Sequence, residues 1–358
     1  MNSRERFLKT MTFSAPDRPA CADYHYYDST RERWEREGLP KGADLDEYFG
    51  YDFNPFRWQV QADIGALPRQ KAEVLEETGD YKVIREGDGQ VVRILKNEPP
   101  PAMPQWLRYP LASREDWGAF KRRLDPDRPG RLPPDLGRLP PAAQRSRPLG
   151  LWAGGAYGYM RNWWGVEQLS LLFYDDPALI EEMMEVQTHL YATIFDRVIA
   201  ARVELDWVMF WEDMAYKTGP LVSPDLYRRF CMPFYRTMME RVRRAGVPVV
   251  MLDSDGCIES LIPFWLDEGI FVMHPMEVAS GMDVAAARRR YGRRIAFFGG
   301  IDKRALAGTR DDIRREVLPK LKACADGGFI AACDHAIPPD VSFDNFRYFR
   351  DLIREWRG

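Results

Sequence analysis

The 358-residue chain has no apolar run approaching the roughly 18 residues that a membrane-spanning helix needs, which excludes a transmembrane role. It also has no paired cysteines. Cys21, Cys231, Cys257, Cys324 and Cys333 are odd in number, scattered and form no CxxC, arguing for a reducing compartment and against a zinc ribbon. Nor is there an excess of one charge: 51 Lys+Arg against 54 Asp+Glu leave −3, so nothing global attracts nucleic acid. Neither GxGxxG nor GxxxxGK[ST] occurs at a strand end, which counts against a dinucleotide or P-loop protein. The opening MNSRERFLKTMTF is charged and helical in pattern and lacks the apolar centre of a secretory signal, so a cytoplasmic protein is expected.

What is present is a 45% hydrophobic chain, long enough to bury a large core without staples, and a single domain over 1–358 is expected. Leu124 to Pro148 is dense in proline and arginine and reads as a surface connection. Beyond it, short β-branched and aromatic runs alternate with longer amphipathic ones. The strands are Leu149–Ala153, Leu205–Trp211, Pro248–Leu252, Ile270–His274, Arg294–Phe298 and Phe329–Cys333. Helical patterns over Pro177–Arg202, Pro224–Ala245, Ile258–Glu268, Asp283–Tyr291, Asp311–Asp326 and Phe343–Trp356 follow them. Two more strands, Pro19–Tyr26 and Arg57–Asp63, would complete eight units and close a (β/α)8 TIM barrel of the α/β class. Tyr81 to Leu95, two alternating runs around Gly-Asp-Gly, predicts a β-hairpin decorating the barrel at about 80–96.

In such a barrel the chemistry lies at the C-terminal strand ends. Those ends are acidic: Glu212-Asp213, Asp253-Ser254-Asp255-Gly256 and Asp334-His335, with His274 and Gly299-Gly300-Ile301-Asp302 on the remaining strands. Converging carboxylates repel unless a cation, a proton or a hydrogen-bond donor sits among them. Asp253 and Asp255, two apart, point to one side of an extended segment and could share a ligand; capping the next helix is the plainer role for either alone. His335 precedes a proline-fixed loop and is a candidate site residue, whereas Cys333 reads as core. His274 could line the same rim or pack beneath it, and Gly299 and Gly300 permit close approach of a substrate or a neighbouring element. Leu151 to Trp164 (LWAGGAYGYMRNWW) reads as an aromatic lid with Arg161 among the rings, Tyr157, Tyr159, Trp163 and Trp164 offering flat apolar surface to a planar or large ligand; a core corner is the alternative for Trp163 and Trp164.

These strand ends, with Asn2-Ser3-Arg4-Glu5-Arg6, Pro16-Asp17-Arg18, Gly219-Pro220-Leu221-Val222-Ser223-Pro224 and His335-Ala336-Ile337-Pro338-Pro339-Asp340, resemble the uroporphyrinogen decarboxylase superfamily. The resemblance implies a (β/α)8 barrel. In the decarboxylase branch, which needs no cofactor, an arginine-containing RQAGRY element follows the first strand; here Ala22-Asp23-Tyr24-His25-Tyr26-Tyr27-Asp28 stands instead. His335 falls on that branch's Gly-His-Gly histidine, and Tyr157 or Tyr159 near its active-site tyrosine. In the corrinoid-dependent methyltransferase branch, zinc is held by a His-x-Cys pair and a later Cys; the corresponding positions hold Asp253, Asp255 and His335, a harder set suited to zinc or another divalent ion, or to an acid site with no metal.

The resemblance implies a methyltransferase-like enzyme that meets a corrinoid protein and a small methyl donor or acceptor. Asp253, Asp255, His335 and Asp213 would be its central residues. Glu212, Tyr157, Tyr159, Arg161, His274, Gly299 and Asp302 would contact substrate. A tetrapyrrole decarboxylase and a non-catalytic corrinoid or tetrapyrrole binder are the alternatives, and a homodimer is among the forms left open.

Overall fold

The computed structural model describes residues 1–23, 25–96 and 103–356. The upstream half carries β1 (Glu73–Glu77), β2 (Tyr81–Arg85), β3 (Val91–Leu95) and β4 (Gln105–Arg108), an antiparallel sheet in the order β1-β2-β3-β4. The expected hairpin is thus the centre of a four-stranded sheet. Its turn is closed by Glu86 N donating to Gln90 O at 2.8 Å and Gly89 N to Glu86 O at 3.0 Å. The outer strands escaped the sequence pattern because all their side chains are exposed, leaving no buried face to impose alternation.

Downstream come β5 (Gly150–Trp152), β6 (Trp207–Trp211), the short hairpin β7 (Ala215–Tyr216) and β8 (Gly219–Pro220), then β9 (Val249–Asp253), β10 (Val272–His274), β11 (Ala296–Ile301) and β12 (Phe329–Cys333). Six of them form one parallel sheet in the order β12-β11-β10-β9-β6-β5, with helices between. These strands are apolar on both faces because one packs into the barrel and the other under the helices. Trp207, Met209, Val249, Met251, Val272 and Phe298 fill the interior beside Ala20 and Ala22. Phe7 and Met11, on the helix Ser3–Met11, join the same cluster, and Gly328 N donates to Thr10 O at 2.7 Å just before β12.

The fold is the (β/α) barrel of the α/β class that the pattern predicts, with one local difference. The two upstream staves are extended segments, not laddered strands. Val60 N donates to Gly150 O at 2.8 Å and Gly150 N to Trp58 O at 3.1 Å, continuing the sheet past β5 through one parallel bridge. Along 19–23, side chains take the bonds a neighbouring strand would make. Ala20 N donates to Thr10 Oγ1 (3.2 Å), Cys21 N to Asp52 Oδ2 (2.9 Å) and Cys333 N to Asp23 Oδ1 (3.2 Å), while the Arg350 guanidinium donates to Ala22 O (2.8 Å). Tyr24, within the expected first strand, lies outside the described residues.

The helix expected over Pro224–Ala245 is two, Pro224–Phe230 and Met232–Arg244, because Pro233 lacks an N–H and fits only a first turn. Ile258–Glu268 shortens to a helix over Ile262–Asp267, again with proline in its first turn. The proline- and arginine-rich connection holds only the short turns Leu136–Arg138 and Ala142–Gln144. Its buried Arg131 fastens it by donating to Asp63 O at 3.0 Å. Among the described residues no helix is long and apolar enough to cross a membrane.

Candidate active site

The period of two along a strand decides which acids reach the barrel mouth. On β9, Val249 and Met251 face inward, so Asp253 does too; on β10, Val272 faces inward and His274 lies in register with Asp253. His274 is fully buried, its ring stacked on Phe298 at 4.4 Å between centroids, with Nδ1 donating to Phe298 O at 2.8 Å and Nε2 3.9 Å from Asp253 Oδ1. Burial pushes the imidazole down to about 4, so it is neutral at pH 7.

Nearer the opening, Asp255 Oδ2 stands 3.4 Å from His335 Nε2. The hydrogen bond and the charge of Asp255 raise the imidazole above the ordinary histidine range against a burial cost. Burial works against the charge on Asp255 as well, but His335, with Lys303, holds its carboxyl below the ordinary range. Asp213 completes the group. Its backbone is left-handed, φ 43°, and Arg161 grips it twice, Nη2 to Oδ2 at 2.9 Å and Nη1 to the backbone O at 2.8 Å, while the guanidinium lies 5.3 Å from the Trp211 ring centroid. Burial and the neighbouring Asp255 charge push the Asp213 carboxyl up in spite of Arg161. Two carboxyls at one opening are therefore driven apart in acidity, the arrangement that separates an acid from a base.

Asp255 thus pairs with His335, whereas Asp253 lies 3.9 Å from the neutral, buried His274, beyond hydrogen-bond distance. Among the described residues, no group of three or more His, Cys, Asp or Glu side chains is arranged to hold a metal ion, so the donor set does not fit a metal centre. Asp213, Asp255, His335 and Arg161 line a cavity of about 810 Å³, together with Glu277 and aromatic side chains from β4 and the β7–β8 hairpin. A second cavity of about 660 Å³ shares Asn162 with it and is lined by Asp253, Tyr159, Trp152 and Trp211. Tyr159 packs 5.3 Å from the Trp211 ring, and burial raises its phenol.

Other expected site residues lie elsewhere. The aromatic lid is not a lid: Tyr157, Trp163 and Trp164 are buried, at the start and on the inner face of a helix over Gly158–Trp164. Tyr157 stacks on Phe173, with its hydroxyl 3.4 Å from Ser170 Oγ. Trp163 packs on Phe120 and Trp117, and Trp164 Nε1 lies 3.1 Å from Met183 Sδ. Glycine-punctuated aromatics pack a short helix into a core as readily as they cover a ligand, and here packing wins. Asp302 caps the helix Lys303–Leu306 and pairs with Arg304 instead of facing the cavity. Gly299, at φ 117°, brings backbone against backbone: a Cβ there would sit 2.3 Å from Pro275 O, so the close approach is to the loop after β10 and not to a substrate.

Glu212, next to Asp213, points the other way. It is fully buried and accepts from Ala156 N (2.6 Å), Tyr157 N (2.8 Å) and the Tyr235 hydroxyl, anchoring the start of the helix that carries Arg161. Burial pushes its carboxyl from 4.5 up to about 7 against these hydrogen bonds. The folded protein then holds a proton that the unfolded chain has released, so this residue's contribution to stability falls as pH rises from 4.5 to about 7. Urea titrations of Glu212→Gln and wild type across that window should show the wild type losing on the order of 3 kcal/mol relative to the variant; a constant difference would contradict the raised acidity constant.

Sequence reasoning missed Glu277, three residues past His274. Its Oε2 accepts from Gly256 N (3.1 Å) and Ser280 Oγ (2.8 Å), tying the β9 and β10 loops together. The strand-end rule could have found it had the loop beyond Pro275 been followed. Asp334, one of the acidic strand ends, is buried and accepts from Val278 N (2.9 Å) and Lys303 N (3.1 Å).

The family model described as "Uroporphyrinogen decarboxylase (URO-D)" matches residues 147–356. Uroporphyrinogen decarboxylase of Nostoc punctiforme is 23% identical over 186 residues, 51% of this chain and 49% of that protein. The enzyme of Chlorobium phaeobacteroides is 27% identical over 140 residues, 37% of this chain and 38% of that protein. The chain thus spans about half, or less, of the length of these curated relatives. A solved structure described as a methyltransferase from Methanosarcina mazei superposes with a TM-score of 0.60 at 14% identity, covering 98% of this chain and 99% of that one, a likeness of fold. With the match extending over more than half of its length, from the start of β5 through the final helix, the chain belongs to the uroporphyrinogen decarboxylase family.

Proposed function

We propose that the chain is a methyltransferase of this family, moving a methyl group between a small molecule seated in the barrel mouth and a corrinoid carried by a separate protein. The carrying observation is the geometry of the mouth: Asp255 stands 3.4 Å from His335 and raises its imidazole, beside Asp213, which Arg161 holds at 2.9 Å. When bound, a corrinoid supplies the cobalt centre that carries the methyl group. The exposed apolar rim fits such a macrocycle, since Met103, Trp106 and Tyr216 offer flat or soft surface at the opening. His335 is then the acid that supplies a proton to the heteroatom a methyl group leaves behind, as it departs from oxygen or sulfur and after it departs from a quaternary nitrogen, and Asp255 holds the imidazolium in place. Arg161 positions Asp213, and Glu212 positions the helix that bears Arg161.

Removal of carboxylates from a tetrapyrrole is the second reading, favoured by the names of the curated relatives. The mouth argues against it. A polycarboxylate needs several free cations, yet Arg161 is committed to Asp213, Lys217 alone is left unpaired among the described lining residues, and Asp255 and Glu277 line the same cavity.

Visible spectroscopy separates the two. Purified protein incubated with methylcobalamin and a series of thiols, or with reduced cobalamin and O-, N- and S-methyl donors, should convert one cobalamin spectrum to the other with at least one partner compound. Absence of exchange throughout the series, with loss of carboxylates from uroporphyrinogen in parallel, would overturn the proposal in favour of decarboxylation.

A further inference from the structure

The charges lining the 810 Å³ cavity do not all cancel locally, and the remainder describes a ligand. Arg161 and Asp213 satisfy one another at 2.9 Å, and His335 and Asp255 at 3.4 Å. Two charges are left. Glu277 spends Oε2 on both of its hydrogen bonds, and its Oε1 has no partner among the described residues. Lys217, exposed at the turn between β7 and β8, makes no ion pair among them. Aromatic side chains line the same cavity. Trp106 and Tyr109 come from the end of β4, and Tyr216 from the hairpin; none of the three stacks on another ring among the described residues, and Trp106 and Tyr216 are 41% and 70% exposed.

An unengaged carboxylate oxygen and unstacked aromatic rings lining one cavity suit an organic cation, which is attracted to ring faces without needing a hydrogen bond. A simple cation would leave Lys217 uncompensated, and a simple anion would meet Glu277. We infer that the mouth takes a zwitterion whose quaternary or highly methylated ammonium lies among Trp106, Tyr109, Tyr216 and Glu277 and whose carboxylate reaches Lys217, that is, an N-methylated amino acid. This names a substrate class for the methyl-transfer site proposed above and rests on that reading for its role as donor, though not for its binding.

Calorimetry with three probes of similar shape tests it: trimethylglycine, choline as the cation alone, and 3,3-dimethylbutanoate as the anion alone. Trimethylglycine should bind at least about tenfold more tightly than either of the others. Glu277→Gln, which keeps an acceptor for Gly256 N and Ser280, should weaken trimethylglycine by about tenfold and leave 3,3-dimethylbutanoate unchanged. Lys217→Met should narrow the gap between trimethylglycine and choline, and Trp106→Ala should weaken both cations. Equal binding of the three probes, binding of none, or indifference to Glu277→Gln overturns the inference. Tight trimethylglycine binding without cobalamin methylation would remove the methyl-transfer reading and keep the ligand class. Methylation from neutral or anionic donors alone would do the reverse.

Discussion

Asparagine at position 255 should lower the methyl-transfer rate by about 10²–10⁴-fold at neutral pH, the range over which a positioned general acid contributes. The carboxylate of Asp255 is the main reason the His335 imidazole holds its proton above the ordinary histidine range, through a 3.4 Å contact and its charge. An amide keeps the shape and removes the charge, so His335 reverts toward ordinary acidity or below it, because burial opposes the proton. The fault is then one of protonation, and the deficit should shrink as pH is lowered toward the ordinary histidine value, whereas His335→Ala stays inactive at every pH. Steady-state rates of both variants from pH 5 to 8 check this. A wild-type rate in Asp255→Asn at pH 7.5, or a deficit that ignores pH, would show that the pair does not act as the acid.

The second large effect concerns closure of the barrel. Arg350→Leu should destabilise the protein by about 3–5 kcal/mol, the range for breaking one side of a buried ion pair. Arg350 is 1% exposed, and its guanidinium donates to Asp23 Oδ2 and Ala22 O, each at 2.8 Å, and to Ala331 O at 3.2 Å. Where the segment 19–23 meets β12, side-chain bonds replace a backbone ladder, and Arg350 together with its partner Asp23, which also accepts from Cys333 N, clasps the first stave to the last. Arg350→Lys keeps the charge without the planar fork and should recover only part of the loss. Urea unfolding monitored by tryptophan fluorescence reads both. A shift of the Leu variant below about 1 kcal/mol, within the range of an ordinary surface change, would contradict the clasp.

The parallel strands were legible because each is a short apolar run, and most run into a charged residue at the place where the sheet meets solvent. The same grammar located Asp213, Asp253, Asp255, His274 and His335 near one opening. It could not tell Asp213 from Glu212, since which of two adjacent acids faces the cavity depends on the left-handed turn at Asp213 and on the distant Tyr235, 23 residues on, that draws Glu212 inward. Of the convergence expected of Asp253, Asp255 and His335, only Asp255 with His335 forms a pair, because the β9–β10 register sets Asp253 beside the buried His274 instead. Register between strands is a tertiary fact that one strand's composition does not carry. The aromatic segment from Leu151 to Trp164 failed for a related reason: rings and glycines have the same composition whether they cover a ligand or pack beneath a helix. The rim residues Trp106 and Tyr109 lie on and just after an outer strand of an appended sheet, and nothing local ties them to a mouth built more than fifty residues later.

The account depends on a protonated imidazole at the opening above a neutral one buried beneath it. The direct measurement is an NMR titration of the histidine side chains in wild type and in Asp255→Asn. His335 should titrate above 6.5 and fall in the variant, while His274 stays uncharged until the pH approaches about 4. A His335 that titrates at or below 6.5 in the wild type, or is indifferent to the loss of the Asp255 charge, would contradict the assignment of the acid.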